Sequence, residues 1–90
     1  MSDAALATLL RVGFRHAVSA PNAEAACEQV QALADQPLGA SDFHDAVAEA
    51  LRRGLIREPL RIPDGALQCH WRLELTPGGV AAARALPAKA

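Results

Sequence analysis

Apolar residues recur at helical spacing through the first half of the chain, at every second position after residue 55, and at helical spacing again near the end. Leu6, Leu9, Leu10, Gly13, Phe14 and Ala17 share one face, which predicts a first helix over about residues 3–18. Arg11 and Arg15 fall on another face, and Asp3 sits where the helix dipole favours an acid. Pro21 breaks the pattern, and Asn22 is a suitable cap for a second helix over about 23–34. Its inner face is expected to be Ala26, Cys27, Val30, Leu33 and Ala34, with Glu24, Glu28, Gln31 and Asp35 in water. Pro37 and Gly39 mark a turn in which Leu38 is expected to plug the core.

Ser41 is the expected cap of a third helix over about 42–53, with Phe43, Ala46, Val47, Ala50 and Leu51 as its buried stripe. Gly54 occupies the position that wants a left-handed backbone, and Leu55 should fold back on the last turn. The period then drops to two. Leu60 and Ile62 alternate with Pro59 and Arg61, and Leu67, Cys69, Trp71, Leu73 and Leu75 alternate with Gln68, His70, Arg72 and Glu74. Between them Pro63-Asp64-Gly65 has turn chemistry, so a hairpin over about 56–75 is expected, with Pro59 on an edge strand. Thr76 and Pro77 then open a last helix over about 77–86. Gly78 and Gly79 weaken that helix and suggest close approach to another backbone.

These elements make one domain over residues 1–90, mainly α with a small β-hairpin, in the order α-α-α-β-β-α. A chain of this size buries roughly 60–65% of its unfolded surface. Its only aromatics are Phe14, Phe43 and Trp71, so each weighs heavily in a core otherwise rich in alanine. Two cysteines do not make a disulfide framework. No signal segment and no apolar run long enough to span a bilayer is visible, so a cytoplasmic protein without membrane association is expected.

The order of elements closely resembles the winged form of the helix-turn-helix domain. Ala50-Leu51-Arg52-Arg53-Gly54-Leu55-Ile56 looks like the end of a recognition helix entering the wing. Leu75-Thr76-Pro77-Gly78-Gly79 looks like the return to the closing helix in MarR-like and PadR-like regulators. The resemblance implies that residues 41–53 form the recognition helix and residues 60–71 the wing. It also implies a small transcriptional regulator that binds duplex DNA. The alternative is a winged helix used for protein–protein contact. The chain lacks the long terminal helices through which many such regulators dimerise, which implies a monomer or a weak homodimer through the first helix.

Charge cuts across this expectation. The net charge is −1, but residues 1–49 carry two arginines against seven acids, and residues 50–90 carry seven bases against three acids. The outward positions of the third helix are Asp42, His44, Asp45, Ala48, Glu49 and Arg52, and their acids repel phosphate. The basic side is Arg52, Arg53, Arg57, Arg61 and Arg72, and these five with His44 are the candidate nucleic-acid contacts. The competing reading is an ion-paired surface, Arg53 with Glu49 and Arg57 with Glu74.

Other chemistry finds little support. His16, His44, His70, Cys27 and Cys69 lack metal-ligand spacing, so no metal or cofactor is expected. Ser41, His44 and Asp45 crowd one helix start, and Gly78-Gly79 lacks the phosphate-loop pattern, so an enzyme is not expected.

Overall fold

The computed structural model describes residues 3–61 and 70–86, the side chains of Asp3, Leu60 and Arg61 excepted. It contains α1 (Asp3–Arg15), β1 (Val18–Ala20), α2 (Ala23–Leu33), α3 (Ala40–Arg52), β2 (Leu60–Arg61), β3 (His70–Leu73) and α4 (Pro77–Ala85). The class is mainly helical with an antiparallel hairpin. The expected turn at Pro63-Asp64-Gly65 and the inward positions Ile62, Leu67 and Cys69 lie outside the described residues.

Helix α1 packs against α2, α3 and α4. Because neighbours cover it on several sides, its buried arc is wider than one stripe. Leu6, Leu9 and Leu10 are buried as expected, and Ala5, Thr8 and Val12 join them. The Thr8 hydroxyl donates to the Ala4 carbonyl at 2.8 Å, which satisfies a polar group in the core. Phe14 and Ala17, expected inside, are exposed. The helix also stops at Arg15, three residues short of the expected end. Val18 and Ala20 are buried while Ser19 is exposed, and this alternation belongs to a strand. Strand β1 is an addition to the expected order of elements.

Asn22 caps α2 by accepting from the Ala25 N–H at 2.8 Å. Ala26, Cys27 and Val30 form its inner face, and Leu33, expected inside, is 39% exposed at the helix end. Leu38 is buried, as the turn pattern suggested. Helix α3 begins earlier than expected: Gly39 holds the cap position without a side-chain bond, and Ser41 lies within the helix, exposed. Phe43, Ala46 and Ala50 are buried, with Val47 and Leu51 partly so.

The end of α3 is built as its sequence suggests. Gly54 has φ +71°. The Gly54 N–H donates to the Leu51 carbonyl (3.1 Å) and the Leu55 N–H to the Ala50 carbonyl (2.8 Å), the paired bonds of a Schellman stop. The chain then runs antiparallel to β3 and its continuation. Arg57 donates to the Glu74 carbonyl, Arg72 to the Pro59 carbonyl, and Ile56 bridges Leu75.

The sheet order is β1-β3-β2, all antiparallel. Pairing sets Val18 opposite Leu73, Ser19 opposite Arg72 and Ala20 opposite Trp71. Strand β2, next to Pro59, is an edge, as expected. At the other edge the Ser19 carbonyl accepts from the Gln29 amide at 2.8 Å, which covers part of the exposed strand. Trp71 and Leu73 point into the core, and the Trp71 ring lies 5.7 Å from Phe43. Trp71 is therefore a core residue that joins the sheet to α3.

Thr76 ties the two ends of this unit together. Its hydroxyl donates to the Gly54 carbonyl (2.6 Å) and accepts from the Gly79 N–H (3.0 Å), and its own N–H donates to the Leu55 carbonyl (3.0 Å). Gly79 has no room for a side chain: a Cβ there would sit 1.8 Å from the Leu55 carbonyl oxygen. Gly79→Ala is expected to destabilise the fold by at least about 2 kcal/mol, because a rigid backbone atom must move. Gly54→Ala meets no neighbour and carries only the left-handed backbone cost of about 1 kcal/mol. Urea denaturation of both variants checks this order, and equal losses would contradict it.

Candidate nucleic-acid interface

The candidate residues sit on three supports. Arg52 and Arg53 close α3, Arg57 lies on the segment that enters the hairpin, and Arg72 lies on β3. His44 is near the front of α3, exposed, with its ring edge-on to Phe43 at 5.4 Å. Arg61 pairs with His70 in the β2–β3 register, and its side chain lies outside the described residues.

Glu49 organises the end of α3. It lies one turn before both arginines, where residues three and four apart meet on a helix surface. Arg52 Nε donates to Glu49 Oε1 at 3.1 Å, and a second Arg52 nitrogen and Arg53 Nε both donate to Oε2. The hydrogen bonds from Arg52 and then Arg53 pull the Glu49 carboxyl down to about 2. The same contact raises Arg52, through the hydrogen bond first and the nearby charge second. The expected Arg53–Glu49 pair is thus present, and Arg52 shares it. Three charges condense to a net +1, held in one arrangement. Arg57 and Glu74 do meet, through the main chain, with the Arg57 N–H donating to the Glu74 carbonyl at 2.9 Å.

The structure divides the remaining cations. Arg53 lines an apolar groove with Leu10, Leu55 and Ala82, turned toward α1 and α4. Arg72 is exposed on the outer face of the sheet, beside a depression lined by Ala17, Val18 and Ser19. Arg52 and Arg53 are therefore brought together, while Arg72 belongs to a different surface. On the front of α3, Asp42 and Asp45 are exposed beside His44.

One pairing on the sheet was not visible in the sequence. Ser19 Oγ hydrogen-bonds His70 Nε2, so the outer face carries Ser19, His70 and Arg72 as neighbours. No local pattern could reveal this, because the partners are 51 residues apart. Arg15 and Arg84 are also exposed, outside the candidate set. The Arg84 guanidinium carbon lies 6.0 Å from the Phe14 ring centroid, within cation–π range.

The other chemistries can be located as well. Cys27 is buried, and burial first, then the Glu28 charge, push its thiol up in pKa, so it is a poor nucleophile. Among the described residues no three His, Cys, Asp or Glu side chains gather at a metal-binding spacing, and no helix is long and apolar enough to cross a membrane. Cys69 lies outside the described residues. Comparison with models of known protein families, with curated proteins and with solved structures found no match.

The Glu49 brace has a measurable acid signature. Its folded pKa is depressed, so its contribution to stability is complete above the unfolded value near 4.5 and is lost as pH falls toward about 2. A carbon-detected NMR titration of the Glu49 carboxyl should give a midpoint well below 4. Arg52→Ala should raise that midpoint more than Arg53→Ala does. A midpoint at the ordinary glutamate value in the unmodified chain would show that the brace does not form in solution.

Proposed function

We propose that this chain is a winged-helix module that binds duplex DNA through its wing and the end of α3. The observation that carries the reading is the junction at Gly54, Leu55 and Thr76. It joins the end of α3 to the start of the hairpin, so the backbones that carry Arg52 and Arg57 are held by one unit. Backbone phosphates supply most of the affinity in such contacts, and arginine forks suit them. Glu49 supports the reading in one respect and weakens it in another. It fixes two arginines in advance, and it cancels one of their charges.

A second reading, protein–protein contact, is favoured by the exposed acids Asp42 and Asp45. They occupy the part of α3 that reads base edges in DNA-binding relatives of this architecture. If DNA is the ligand, the wing and the last turn of α3 carry the contact and the front of the helix contributes little.

A duplex DNA titration followed by amide NMR separates the two. The DNA reading expects shifts at Arg52 and Arg57 that weaken steeply with salt. It also expects Arg57→Ala to reduce the slope of log K against log salt by about one. Asp45→Asn should strengthen binding only slightly, because that acid stands away from the phosphates. No shifts at these positions even at low salt would defeat the DNA reading and leave the protein-contact reading standing.

A further inference from the structure

The outer face of the sheet gathers hydrogen-bond donors from two strands. Ser19 of β1 stands opposite Arg72 in the register, and its hydroxyl oxygen hydrogen-bonds Nε2 of His70, earlier on β3. Direct cross-strand partners lie about 5 Å apart and diagonal ones about 7–8 Å, so one small ligand can reach all three. The backbone beneath them is held on both sides. Strand β3 is central in the sheet, and the Ser19 carbonyl accepts from the Gln29 amide at 2.8 Å. Next to Ser19 and Arg72 lies a depression of about 320 Å³, lined also by Ala17, Val18, Leu73 and Glu74.

Hydrogen-bonding capacity selects the occupant. If the Ser19 hydroxyl donates to Nε2, the imidazole proton sits on Nδ1. If Nε2 donates to the hydroxyl, the hydroxyl hydrogen is left over. The pair therefore keeps a donor in either arrangement, and the Arg72 guanidinium adds a fork of donors and a positive charge. Arg72 is exposed, and among the described residues no carboxylate holds its guanidinium, unlike those of Arg11, Arg52 and Arg53. Several donors around one full charge suit a tetrahedral oxyanion. The rest of the depression is largely apolar, through Ala17, Val18 and Leu73, and Glu74 in its lining disfavours a second negative group.

We propose that Ser19, His70 and Arg72 bind the phosphate group of a small monoester whose remainder is uncharged and largely apolar. The Arg72 fork meets two phosphate oxygens, the Ser19–His70 pair meets the third, and the remainder lies against Ala17, Val18 and Leu73. A monoester offers all three terminal oxygens, whereas a phosphodiester of nucleic acid offers one fewer. The depression has the form of a small-molecule site, a mostly apolar lining with a few placed polar groups, at the small end of the usual range. The site lies on the sheet, apart from the end of α3, and does not depend on the DNA reading.

The probe is phenyl phosphate, titrated into the full chain and followed by amide and imidazole NMR. Saturable shifts are expected at Ser19, His70 and Arg72, with inorganic phosphate at least about fivefold weaker for want of the apolar contact. Phenol alone should cause none of these shifts. Arg72→Gln should weaken phenyl phosphate about tenfold, and Arg72→Lys nearly as much, because the fork is lost. Ser19→Ala should weaken it about threefold. Both positions are exposed, so the fold should persist, which unchanged amide spectra elsewhere verify. Shifts that do not saturate or that centre elsewhere overturn the proposal, as does undiminished binding by Arg72→Gln. Inorganic phosphate bound as tightly as phenyl phosphate overturns it too, since the apolar lining then selects nothing. The same shifts on adding duplex DNA, with displacement of phenyl phosphate, overturn it in favour of a nucleic-acid contact.

Discussion

The contact between Gly79 and the Leu55 carbonyl is the constraint around which this domain is arranged. Two backbones can approach that closely only where one lacks a Cβ. The approach lets Thr76 bond at once to the Gly54 carbonyl, the Leu55 carbonyl and the Gly79 N–H. The end of α3, the return from the hairpin and the start of α4 therefore meet at one point. Position 79 also costs the helix intrinsic stability, since glycine is a poor helix residue. The tertiary contact explains why a glycine is nevertheless found there.

The hydrophobic core depends on that junction. Once α3 and the hairpin are locked in sequence, Trp71 is carried onto Phe43, and Leu73 reaches Gly13 on α1. With so few aromatics, the Phe43–Trp71 pair is the main large contact between sheet and helices. The small residues Ala26, Ala46 and Ala50 are fully buried in the same core.

Electrostatics follows the helices more than the halves of the chain. The acids of α2 and the front of α3 face solvent, and Glu49, near the end of α3, holds two arginines. The basic residues separate into the braced end of α3, the sheet surface at Arg72, and the α1–α4 face with Arg15 and Arg84. A linear sum of charge cannot distinguish these surfaces, because each is assembled from residues distant in the chain.

Local signals determined much of this protein. Asn22, Gly54, Thr76 and Pro77 act within a turn of themselves, so the caps and stops they specify are visible in sequence. The change from helical to alternating spacing marked the hairpin and put Trp71 and Leu73 inside for the same reason. Tertiary structure decided the rest. Strand β1 is three residues long and exists because β3 pairs with it across some fifty positions, which shortened α1 from its expected end. The exposure of Phe14 and Leu33, the Ser19–His70 bond and the turning of Arg53 into a groove all depend on which neighbour packs alongside. Periodicity can say that a helix has an apolar side, but only the packed neighbours decide how wide that side is and which residue at its margin stays in water.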